Sequence, residues 1–149
     1  MPAYPDDSYL AQIGRLAYAV SGLEWSVLGD LSGHAAVLPP ALSVGALAGK
    51  STGRIVDTIK RHLNDVRDKD VQLWLREGVS ALDAVSDIRN HVLHARPATV
   101  EGQQRLYRWR EGNDAFPITD QWLDRELDRI EAWSEKLATL RVPRAEHLP

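Results

Sequence analysis

One apolar stripe constrains this chain more than any other feature. Val71, Leu75, Val79, Leu82, Val85, Ile88, Val92 and Ala95 recur at steps of three or four, the spacing that lines one face of an α-helix. Asp70 reads as the N-cap of that helix, and Pro97, which disfavours helical backbone at Arg96, is expected to end it. A helix this long with one greasy face needs other helices to cover it, and three further stripes supply them. Ile13, Leu16, Ala17, Val20, Leu23 and Val27 mark a first helix, capped by Ser8 and ending near Gly29 or Asp30. Ile55, Ile59, Leu63 and Val66 mark a second, capped by Ser51 or Thr52. Leu123, Leu127, Ile130, Leu137 and Leu140 mark the last, capped by Thr119 or Asp120 and flanked by Trp122 and Trp133.

The expected fold is therefore all-α, an antiparallel bundle of four principal helices joined mostly by short connections. Leu31 to Pro40 is broken by Gly33, Pro39 and Pro40, and Ala41 to Ala48 offers one or two helical turns. The least helical stretch is a short irregular or strand-like arm around 103–113, where Leu106-Tyr107-Arg108-Trp109-Arg110 alternates before the turn-rich Glu111-Gly112-Asn113-Asp114. Residues 8–141 read as a single domain, with flexible tails at 1–7 and 142–149.

Several function classes drop out on composition. The chain has no cysteine, which excludes disulfides, thiolate chemistry and zinc–cysteine sites. It has no apolar run of membrane-spanning length, and its polar, acidic N-terminus does not read as a secretory signal. A cytoplasmic location without membrane contact is the expectation. Gly49-Lys50-Ser51-Thr52 resembles the end of a phosphate-binding loop, but Gly45 stands one residue too close and no strand precedes it. No cofactor is expected.

The net charge of −3 gives no overall attraction to nucleic acid, but the charges are unevenly spread. Arg89, Arg96, Arg105, Arg108 and Arg110 face only Glu101 within residues 89–110. A second basic segment carries Lys50, Arg54, Lys60, Arg61 and Arg67 against Asp57 and Asp65. Arg54, Lys60, Arg61, Arg96, Arg105, Arg108 and Arg110 are the candidate RNA contacts. Tyr107 and Trp109, interleaved with arginines, are suited to stacking on bases or to packing on the body of the domain.

The end of the motif helix concentrates chemistry in Arg89-Asn90-His91-Val92-Leu93-His94. Asn90 and His94 lie one turn apart, and Arg89 projects from the opposite flank. Glu24 either falls inside the first helix's apolar stripe, where a carboxylate needs a partner, or lies at the stripe's edge and reaches water. Arg89 is the first choice and Arg54 the second. His91 with Asp87 and His94 could line one face as metal ligands, but the remaining histidines are scattered at 34, 62 and 147. The preferred reading has no metal and leaves His91 exposed or stabilising the helix end.

The pattern Arg89-Asn90-x-x-x-His94, late in a helix with an acid on the first helix and a basic second one, resembles the signature of HEPN domains. The resemblance covers roughly residues 8 to 141. It implies a small helical, metal-independent endoribonuclease of the toxin–antitoxin or phage-defence kind. Arg89 and His94 would then be catalytic, Asn90 supporting and Glu24 holding the arginine. It also implies a homodimer with a composite site and, as a further partner, an antitoxin or defence-system protein. In such toxins a tyrosine two residues after the motif histidine can be nucleotidylated. Arg96 holds that place here and reads as a phosphate contact. The rival expectation is a non-catalytic helical module that binds RNA or a protein partner through the same basic corner.

Overall fold

The computed structural model describes residues 3–109 and 115–141. Its helices are α1 (Asp7–Ser32), α2 (Val44–Leu47), α3 (Thr52–His62), α4 (Lys69–Leu93) and α5 (Asp120–Thr139). Single 3-10 turns lie at Ala35–Val37, Pro40–Leu42 and Leu63–Asp65. Leu16, Val20, Leu23 and Val27 of α1 are buried, as are Trp74, Leu75, Leu82, Val85 and Ile88 of α4. α1 packs on α4 and α5, and α3 covers α4 with Ile55 and Ile59. Each such side chain contributes about 1.5–3 kcal/mol when taken fully out of water. No helix among the described residues is long and apolar enough to cross a membrane.

Helix ends follow side-chain capping closely. Asp6 rather than Ser8 caps α1, its carboxylate accepting from the Tyr9 amide at 2.8 Å. Residues 6 and 7, expected in a tail, thus belong to the start of α1. Its far end passes Gly29 and reaches Ser32 because Leu28 and Leu31 are buried there. Ser51 caps α3 and Thr119 caps α5. Asp68, not Asp70, caps α4 by accepting from the Asp70 and Val71 amides. At its other end α4 stops at Leu93, with His94 as the C-cap.

The structure is not the expected all-α bundle of four helices. Between α4 and α5 the chain forms a three-stranded antiparallel sheet in the order β1 (Arg96–Val100), β2 (Gln103–Arg108), β3 (Phe116–Ile118). The fold is mostly helical but α+β. Pro97 is the physical reason the helix yields to a strand, since Arg96 before it favours extended backbone. Val100 pairs with Gln103, leaving Glu101-Gly102 as a two-residue loop. Both loop residues have positive φ, 49° and 78°, the requirement of a type I′ hairpin turn. The prolines do not forbid the strands. Pro97 lies on β1 and Pro117 on β3, the two edges of the sheet, while β2 in the middle has none. The expected arm around 103–113 overlaps β2, and its portion at 110–113 lies outside the described residues, as does the tail expected at 142–149 with His147.

A cluster built on the buried Tyr9 and Arg105 joins the sheet to two helix starts. Arg105 on β2 is 6% exposed and donates to Asp6 at 3.1 Å and Asp120 at 3.0 Å. Its guanidinium lies 4.3 Å from the centre of the Tyr9 ring. The Tyr9 hydroxyl accepts from the Leu106 amide at 3.0 Å and donates to the Ile118 carbonyl at 2.7 Å, bridging β2 and β3. Burial works against the charge on Arg105, but the carboxylates of Asp120 and Asp6 outweigh it and hold its pKa above the ordinary value.

Candidate functional site

The last turns of α4 bring the motif to the junction of α1 and α3. Helix α1 places Glu24 on the flank of the Val20–Leu23–Val27 stripe, so its carboxylate meets protein rather than bulk water. Arg89 donates to it, Nη1 to Oε1 at 2.9 Å, with side-chain exposures of 35% for the arginine and 18% for the acid. Arg54, the second-choice partner, is exposed on α3 and forms no ion pair with Glu24.

A third member completes this contact. The Ser51 cap starts α3 so that Thr52 lies buried in its first turn. Thr52 Oγ1 donates to Glu24 Oε1 at 2.8 Å and accepts from Arg89 Nη2 at 3.1 Å. A hydroxyl has one proton to give and lone pairs to receive, and this one uses both capacities. The guanidinium is thus fixed at two of its five N–H donors, while the side chain stays 35% exposed. Sequence reading considered Thr52 only as a cap. Its one hint was its place beside Ser51 at the start of a helix facing the motif.

Asn90 and His94 are exposed. The His94 backbone amide donates to the Asn90 carbonyl at 3.1 Å and the Ala95 amide to the Val92 carbonyl at 3.3 Å, which closes the helix. Among the described residues no hydrogen bond joins the side chains of Arg89, Asn90 and His94 to one another. Arg89 is therefore anchored toward α1 and α3, while Asn90 and His94 open to solvent from another side of α4.

His91, expected either exposed or stabilising the helix end, lies half-buried in the last turn of α4. Its ring meets the edges of Phe116 at 5.3 Å and Trp122 at 6.1 Å between centroids, so it packs against β3 and α5. This turns it away from any shared ligand face with Asp87 and His94. Among the described residues no three His, Asp or Glu side chains converge as metal ligands.

The expected RNA contacts separate into different surroundings. Arg54, Lys60 and Arg61 line an open groove of about 550 Å³ along α3, with Lys50, Asp57 and Thr58. Lys60 is also paired with Asp83 at 3.3 Å, an exposed contact of small energetic weight. Arg96 is exposed at the start of β1. Arg108 is partly buried, opposite Phe116 in the β2–β3 register. Arg105 is buried and paired with Asp6 and Asp120, so it is not available to a phosphate. Arg110 lies outside the described residues. The Asp6–Tyr9–Arg105–Asp120 set had no sequence signal, because its members are joined only by the fold.

Beside the motif, Ile13, Ala17 and Val20 of α1 and Val92 and Leu93 of α4 border a small apolar crevice that also touches Arg89. Leu93 is 68% exposed. The outward side of α1 adds exposed Leu10, Tyr18 and Trp25. Compared with family models, with curated proteins and with solved structures, the chain matches none of them.

Proposed function

We propose that this protein is a HEPN-like, metal-independent endoribonuclease that cleaves RNA by attack of a 2′-hydroxyl on the adjacent phosphate. The observation that carries the reading is the anchoring of Arg89 by Glu24 and Thr52 on the helix that ends in exposed Asn90 and His94. In this reaction the O2′–P bond forms and the P–O5′ bond breaks. The 2′-hydroxyl proton leaves to a base, and an acid supplies a proton to the departing O5′. Imidazole titrates near neutrality and suits either role, which falls to His94. A guanidinium held in one pose can stabilise the charge that builds on the phosphorane without reorganising. Asn90 supplies a further hydrogen bond to a phosphate oxygen.

One His94 per chain covers one proton transfer. A two-fold homodimer that brings two α4 ends together supplies the second. The exposed Leu93 and the exposed apolar side of α1 support a subunit contact beside the motif. The proposal extends to a toxin or defence role in the cytoplasm, with an antitoxin or defence-complex protein as regulatory partner.

A second reading, a non-catalytic module that binds RNA or a protein partner, is favoured by one observation. Arg89 points at Glu24 and Thr52, and no side-chain hydrogen bond links it to Asn90 or His94 within one chain. The deciding experiment incubates wild type and His94→Ala with total RNA in EDTA and identifies the product ends. Cleavage to 2′,3′-cyclic phosphates by the wild type alone supports the nuclease. RNA retained by the wild type but cut by neither protein supports the module.

A further inference from the structure

The sheet that follows the motif carries an open groove on one face. Arg96 on β1 and Tyr107 on β2 are cross-strand partners, so their side chains stand next to each other on one face. Trp109 follows β2 and is 62% exposed, as Trp25 on α1 is at 60%, whereas Trp74 is buried and Trp122 and Trp133 pack against the core. Arg96, Tyr107 and Trp109 line a groove of about 370 Å³ floored by Pro97 and Ala98. Arg96 has no carboxylate partner among the described residues.

We propose that this groove seats an unpaired nucleobase of an RNA strand, stacked on Trp109 and Tyr107, with Arg96 on its phosphate. The inference rests on the nuclease reading of the motif and names its substrate class as single-stranded RNA. Aromatic faces take any base, because every base has a π-face, and an arginine fork matches phosphate oxygens. A base inside a duplex has both faces covered by its neighbours, so it cannot enter. The placement is also right for cleavage. His94 precedes Arg96 by two residues, which limits their Cα separation to about 7 Å. A nucleotide held by Arg96 therefore lies on the stretch of chain that carries His94. The α3 groove differs in kind. Its lining holds lysine and arginine but no aromatic residue, which suits backbone charge and not a base.

The test uses a short 2′-O-methyl oligoribonucleotide, which lacks the attacking hydroxyl, as a single strand and annealed to its complement. Fluorescence anisotropy should show tighter binding of the single strand by the wild type. Trp109→Ala should weaken that binding about tenfold or more, and Trp109→Phe should keep most of it. Arg96→Ala should lower the salt dependence by about one phosphate contact. Equal binding of single strand and duplex overturns the proposal, as does undiminished binding by Trp109→Ala or no binding by the wild type. Groove occupancy by a protein partner alone would appear as that last outcome. Cleavage of unmodified RNA, followed in parallel, separates the two readings. Trp109-dependent binding without cleavage keeps the groove and removes the nuclease, and cleavage with Trp109-independent binding does the reverse.

Discussion

Thr52 carries more of the candidate site than its size suggests. Its hydroxyl gives a proton to Glu24 and receives one from Arg89, so one small side chain fixes the distance between two opposite charges. Thr52→Val keeps the shape and removes both bonds, leaving a half-buried carboxylate and guanidinium each one partner short. The expected loss is about 1–2 kcal/mol of stability, and Thr52→Ser should recover most of it. Urea titration of the three proteins checks this, and a valine variant as stable as the wild type would remove the hydroxyl from the account. Glu24 was legible in the sequence because a carboxylate among Ala17, Val20 and Leu28 demands a partner, and Arg89 was a chemically apt one. Thr52 was not, since a threonine next to a helix start explains itself locally and gives no sign of a contact across the fold. Arg105 misled for the opposite reason. Its arginine-rich neighbourhood suggested a solvent-facing charge, yet two distant aspartates draw it inside.

The three long helices were legible as elements because their stripes repeat over several turns, and burial then displaced only their ends. The sheet was missed because each of its signals is weak alone. β1 begins with Arg96-Pro97, β3 is three residues long with a central proline, and the hairpin turn is Glu-Gly in place of the more telling Asn-Gly or Asp-Gly. Only pairing makes these segments strands. The turn that starts the pairing depends on Gly102, whose φ of 78° is a conformation a side chain resists. Gly102→Ala should therefore cost about 1–2 kcal/mol. For a chain of this size that lowers Tm by about 2–6 °C. Glu101→Asn, which accepts positive φ more readily, should move Tm the other way. A differential scan of both variants reads the result, and an unchanged Tm for Gly102→Ala would mean the hairpin contributes little to the cooperative unit.

Across the whole molecule, the Asp6–Tyr9–Arg105–Asp120 cluster ties the start of α1, the sheet and the start of α5 into one joint, and its charges make that joint sensitive to pH at both extremes. The Tyr9 amide, opposed by some burial and helped by Arg105, holds the Asp6 carboxyl below its ordinary 3.8. A lowered carboxylate pKa contributes stability that is complete above the unfolded value and is lost as pH falls through the folded one. Burial first, opposed by the Leu106 amide and Arg105, pushes the Tyr9 phenol above its ordinary 10.0. A raised phenol pKa works in the other direction, so its contribution is complete below pH 10 and disappears as pH climbs through the folded value. Asp6→Asn isolates the acid limb, because asparagine caps a helix about as well as aspartate while bringing no charge to Arg105. The variant should be less stable than wild type at pH 7, and the gap between them should close as the pH drops below 4. Tyr9→Phe should be less stable at neutrality through loss of the β2–β3 bridge, and should lack the wild type's decline above pH 10. Urea midpoints measured from acid to alkali decide both. A constant gap between wild type and Asp6→Asn down to the lowest pH would mean that the charge of the Asp6 carboxylate adds no stability, either at the helix cap or to Arg105, and that Asp120 holds Arg105 and the sheet without it.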